Sequence, residues 1–309
     1  MSLPAGRFHM GERGMDDRAV DDHEPLIAAY GVSRPLVVQW TVVSVLGVVV
    51  SLFGFGLLYH AVNGSAGPIA FVATPETGWW NVGLTVLALA TVVVAVVVPH
   101  ELCHGLAIRA FGGRPRYGLG VAYAVVPYAF ATTETRFSRN QFVVIALAPL
   151  VVLSALGVPA MLAFEWPWLA VPLAMNAGGA VGDVWMALTI LGYPDTVTVR
   201  DTTTGLEVYG PGDCERIETA PTAVLWDLLV GIAGATVTLA LAGGVVVPIV
   251  LTAIGVEAFA LGVPETPLLI VEFVRTPDGG VEFAMGSGVF ALGIVVGLCY
   301  AYVRSRLRS

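Results

Sequence analysis

Ala90-Thr-Val-Val-Val-Ala-Val-Val-Val98-Pro99-His100-Glu101-Leu102-Cys103-His104-Gly105 is the stretch on which the reading of this chain turns. Nine uncharged residues lead into a compact polar cluster, and the apolar run around it extends from about residue 82 to 110. At a helical rise of about 1.5 Å per residue, a run of that length crosses a hydrocarbon layer about 30 Å thick. The cluster therefore sits inside a membrane span, where ionisable side chains are expensive and mark function by default.

A spacing of four places His100 and His104 one above the other on a single helix face, where both imidazoles reach one cation. Glu101 projects beside them. Zinc with three protein ligands and an open fourth position brings the pKa of its water to about 7, and a neighbouring glutamate can take that proton. The competing reading is a chance coincidence of polar residues that hydrogen-bond helices together. Cys103 lies on another side of the helix and reads as a packing residue.

The composition agrees with a bilayer. Of 309 residues, 56% are hydrophobic and 12% charged, and the net charge is -8; soluble chains carry about 25% charged residues. All basic residues are arginine, and no basic patch for nucleic acid is present. Cys103, Cys214 and Cys299 are too dispersed for a disulfide framework or a Cys-x-x-Cys metal site. Apolar runs near 36–59, 82–110, 141–164, 168–193, 223–256 and 287–303 predict an all-α polytopic membrane protein of about six transmembrane helices. The run at 223–256 contains Gly243, Gly244 and Pro248, so a kinked helix and a re-entrant end are both open.

Arginines orient this arrangement. Arg7, Arg13, Arg18 and Arg34 precede the first run, Arg109 to Arg139 lie between the second and third, Arg200 and Arg216 follow the fourth, and Arg304, Arg306 and Arg308 close the chain. The alternate loops are nearly free of arginine, Arg275 excepted. Both termini are expected to be cytoplasmic in a multi-pass protein of the cell membrane. Residues 1–35 read as a polar acidic cytoplasmic segment, 36–303 as one membrane domain and 304–309 as a basic tail. Small β-hairpin excursions are expected where Thr196–Arg200 meets Leu206–Tyr209 and where Leu269–Arg275 meets Val281–Met285.

Among the remaining acids, only Asp183 lies deep in a span. Counted from the outer helix ends, Asp183 lies about 22 Å inward and His100 about 24 Å. Asp183 is thus a candidate third ligand, the other reading being an aspartate satisfied by backbone or water. Asn176, two turns earlier on the same face, either contacts a substrate backbone or oxyanion or joins helices through its amide. The small residues Ala177-Gly-Gly-Ala180 between them predict close approach to the second helix. Asp227 reads as an interfacial residue beside water.

His100-Glu-Leu-Cys-His104, Asn176 and Gly182-Asp183 together resemble the site-2-protease type of membrane zinc metalloprotease, and more closely a related group of zincin-type peptidases; the resemblance spans about residues 80–210. It implies Zn2+ held by His100, His104 and Asp183, Glu101 as catalytic base, and membrane proteins as substrates cut within or near the lipid bilayer. It also implies strands beside the active site in the loop from Gly112 to Asn140, where an edge strand can pair with an unwound substrate. Val184 follows Asp183 where relatives carry glycine. The expectation is an intramembrane zinc metalloprotease, with a membrane metal-binding or transport protein as the alternative; a transporter would show further polar groups along its helices.

Overall fold

Ser33-Arg34-Pro35 starts the first long helix in the way its residue types dictate. The Ser33 hydroxyl accepts the Leu36 N–H at 3.4 Å, and Pro35 occupies the first turn, where a missing N–H costs nothing. The resulting helix α1 (Arg34–Asn63) ends on Gly64 in the left-handed conformation (φ 71°). The computed structural model of the chain describes residues 24–64, 79–122, 126–202, 205–212, 214, 216–217, 221–276 and 280–308. Arg7, Arg13 and Arg18 lie outside the described residues.

Helices α2 (Trp79–Ala110) and α3 (Arg139–Ala163) follow, the latter opened by a reciprocal capping box between Ser138 and Gln141. The fourth apolar run is broken at Ala180 into α4 (Ala170–Gly179) and α5 (Val181–Ile190). The fifth is one kinked path: α6 (Pro221–Leu241) passes through a π-helical turn, Ala242–Val246, into α7 (Val247–Ala253). Pro248 has no N–H to return to the preceding turn, and a π-bulge absorbs the mismatch. Helix α8 (Gly288–Arg308) completes the set. Among the described residues six helices are long and apolar enough to cross a membrane. Their outer faces carry bare apolar side chains, Leu57 68%, Leu156 67% and Ile249 63% exposed.

Three antiparallel sheets accompany the helices. The first runs in the order β1 (Leu26–Gly31), β6 (Gly205–Tyr209), β5 (Thr198–Thr202), β4 (Phe137–Ser138). A two-stranded hairpin pairs β2 (Arg116–Ala122) with β3 (Val126–Thr132), and a third sheet joins β7 (Ala258–Leu261), β8 (Val271–Arg275) and β9 (Val281–Met285). Both expected hairpins are present, with β7 added to the second. Within the segment read as polar and acidic, Leu26–Gly31 is a strand hydrogen-bonded along β6. An irregularity in the register between Leu26 and Ala28 lets Ile27 and Ala28, together with Tyr30, pack against the core of the first sheet, where their burial outweighs the polarity of what precedes them.

That core fixes the site. Val197, Val199, Leu206 and Val208, each no more than 1% exposed, form the inner face of β5 and β6. They meet Ile108 of α2, Phe142 and Ile145 of α3, and Ala187 and Ile190 of α5. The ends of three helices are thereby locked to one sheet. Asn176 and Asp183 meet α2 as expected, while Gly178 between them packs against α1. A methyl group on Gly178 would overlap Val48 and come within 2.9 Å of the Ser44 carbonyl. Glycine at this crossing lets α1 and α4 approach closely, which leaves the adjacent polar face of α4 and α5 free to meet α2. Asp227, read from the sequence as a residue beside water, is 4% exposed within the protein.

Candidate metal centre

Helix α2 presents His100 and His104 on one face with ring centroids 5.0 Å apart, as the i, i+4 spacing dictates. Asp183, in the first turn of α5, faces both. Its Oδ2 lies 3.1 Å from His100 Nε2 and its Oδ1 3.4 Å from His104 Nε2. One donor atom from each of the three residues lies within 4.8 Å of the other two. The residues are 12% exposed or less at their side chains, and Glu101 lies beside them on the rim of a cavity of about 710 Å³.

The outer nitrogens of the imidazoles decide whether these residues suit a cation. His104 Nδ1 is 2.9 Å from the carbonyl of Ile145. A carbonyl only accepts, so Nδ1 carries the proton and Nε2 is a bare lone pair in the neutral ring. The Asn176 amide NH2 donates to the Pro149 carbonyl at 3.4 Å, so the Asn176 oxygen faces His100. His100 Nδ1 donates to that oxygen at 3.0 Å. Both rings thus aim Nε2 lone pairs at a carboxylate. Two imidazole nitrogens and a carboxylate converging on one point are a donor set that fits a metal.

The Ile145 carbonyl is free to accept because of a proline. Position 149 would normally donate its N–H to the carbonyl four residues back in α3, and Pro149 has none. Sequence reasoning missed this pair, and the signal was present: an intrahelical proline leaves a carbonyl without its helical partner at i−4. Asn176 emerges with both ends of its amide engaged, 2% exposed, against His100 and α3.

The hairpin β2–β3 covers one side of the cavity. Gly105, following His104, has no side chain because the Tyr117 hydroxyl of β2 occupies that space. Ala129–Thr132 of β3 line the cavity, and Glu101 reaches the backbone of Ala131. Among the described residues, β3 has a strand partner only on its β2 side. Asp201, at the end of β5, lines the same cavity and was not anticipated.

A family model described as "Putative zincin peptidase" matches residues 93–198, a range that contains His100, Glu101, His104, Asn176 and Asp183. No curated protein and no solved structure matches the chain. The similarity is to zincin-type zinc metallopeptidases; zinc is the metal this class implies, and His100, His104 and Asp183 form a group that could hold a metal ion.

Proposed function

We propose that this protein is an intramembrane zinc metallopeptidase of the site-2-protease type, cutting peptide bonds in membrane-embedded or membrane-proximal segments of other proteins. The observation that carries the reading is the convergence of two Nε2 lone pairs and the Asp183 carboxylate, with Glu101 alongside, between two of six apolar spans. Bare apolar faces around the helices support insertion into the cell membrane, because soluble surfaces do not sustain contiguous patches of that size. The arginine distribution supports cytoplasmic termini.

His100, His104 and Asp183 would hold the ion. Zinc there supplies Lewis acidity, lowering the pKa of water and polarising a peptide carbonyl. Glu101 takes the proton from the attacking water and returns it to the departing amine. Ile145 and Asn176 hold the imidazole rings in their working tautomers. In this reading Asn176 positions His100, since its amide is already committed, in place of the oxyanion contact that its sequence position left open. The open edge of β3 accepts an extended substrate segment by strand addition, which exposes a peptide bond that a helix conceals. A transport reading is not favoured: among the described residues only one group of metal-ligating side chains is assembled.

The test is elemental mass spectrometry of the detergent-purified protein beside His100→Ala and Asp183→Asn, with turnover measured for Glu101→Gln. Near-stoichiometric zinc lost in the first two, and zinc retained with turnover abolished in the third, is expected. Undiminished cleavage by Glu101→Gln would sink the mechanism.

A further inference from the structure

Strand alternation places Asp201 where a carboxylate is out of character. Residues 197, 199 and 201 share the inward face of β5; Val197 and Val199 are 0% exposed, and Leu206, the cross-strand partner of Asp201, is 1% exposed. Arg200, next in the chain, points to the opposite face and is committed to Glu207, with Nε to Oε2 at 2.8 Å. The Asp201 carbonyl accepts the Thr132 hydroxyl at 3.0 Å, which ties Asp201 to the end of β3, one residue from Ala131 that Glu101 reaches. Asp201 opens onto the cavity that also bears Glu101, His104 and Asp183. It is outside the group formed by His100, His104 and Asp183.

Charge counting shows what this position lacks. Histidines that ligate a metal through Nε2 are neutral. A zinc dication held there would balance Asp183 and Glu101, and would leave Asp201 as unbalanced negative charge in a largely apolar cavity. Burial pushes its carboxyl up to about 7, with His104 opposing and Asp183 and Glu101 adding to the rise. Such a site is completed by a positive hydrogen-bond donor.

We infer that Asp201 is a specificity-determining residue that accepts a cationic N–H donor of the substrate, a lysine or arginine side chain or a free α-amino group, at the end of the β3 edge beside the metal centre. This rests on the peptidase reading. A substrate strand laid along β3 passes the Thr132–Asp201 bridge, so a residue a short way along the strand from the scissile bond meets the carboxylate.

The experiment uses full-length, zinc-loaded wild type, Asp201→Asn and Asp201→Glu in proteoliposomes, matched for zinc content. The probe is a pool of synthetic membrane-spanning peptides with Lys, Arg, Gln, Leu or Glu at each juxtamembrane position, with free or acetylated N-termini, and products are read by mass spectrometry. Wild type is expected to favour the best Lys or Arg peptide, or the free amine, over its Glu or acetylated counterpart by about tenfold or more in kcat/KM. Asp201→Asn should bring that ratio within about twofold, and Asp201→Glu should retain it. Internal Lys or Arg preference assigns the side chain; sensitivity to acetylation assigns the amine. A wild type without preference, or a preference that survives Asp201→Asn, overturns the inference and leaves the peptidase reading standing. If wild type cuts no peptide, the peptidase reading fails instead. Photocrosslinking of the same pool to zinc-loaded Glu101→Gln, with and without Asp201→Asn, then decides the binding preference by itself.

Discussion

Replacing Pro149 by alanine tests the link between helix chemistry and the metal site. The substitution gives position 149 an N–H whose helical acceptor is the Ile145 carbonyl, the group that holds His104 Nδ1 at 2.9 Å. The carbonyl has two lone pairs, so the histidine bond weakens by competition and is not abolished. Loss of a ligand-orienting partner lowers metal affinity about 10–100-fold, and shared acceptance places Pro149→Ala near the lower end, about tenfold or roughly 1.4 kcal/mol. Stability moves separately. Removing an intrahelical proline returns about 3 kcal/mol of helix propensity, offset by about 1–3 kcal/mol for the space left at this fully buried position. The metal-free variant should therefore unfold no earlier than wild type while binding zinc more weakly. Chelator competition reads the affinity and thermal unfolding in detergent reads the fold. Zinc affinity within twofold of wild type would refute the claim that the freed carbonyl sets the His104 tautomer.

Asn176→Ala removes the acceptor of His100 Nδ1 without touching a ligand, and should lower zinc affinity about 10–100-fold in the same competition assay while leaving His104 held. Gly178→Val forces a branched side chain into the α1–α4 crossing against Val48 and Ser44, and should cost about 1–3 kcal/mol, read as a lower unfolding temperature. In metal-free protein Asp201 keeps its proton to about pH 7, whereas unfolded chain releases it near 3.8. The folded state binds more protons across that window, so stability falls as pH rises from about 4 to about 7. Asp201→Asn should flatten this fall in unfolding temperatures measured across the same range; an unchanged slope would show that another group carries it.

Features set by neighbours along the chain are legible in the amino-acid sequence itself. The apolar runs are long enough to define six helices because hydrophobicity and helical rise are local properties. The i, i+4 spacing of His100 and His104 puts both rings on one face whatever packs against it, and depth counting along separate helices brings Asp183 level with them. Strand alternation around turn residues likewise marks β5 with β6 and β8 with β9. Local periodicity could not tell which neighbour each helix face meets. The glycines of α4 serve any close crossing equally well, and only packing assigns them to α1.

The motif by itself determined that a metal ligand pair and a glutamate share one apolar helix. Tertiary structure decided which nitrogens face the ion, because the partners of His104 and His100 lie 41 and 76 residues away. It also decided that Leu26–Gly31 completes a sheet, and that Asp201 opens onto the cavity. Each of these depends on a contact between elements distant in the chain, whose free energy is realised only when the core of β5, β6, α2, α3 and α5 is assembled.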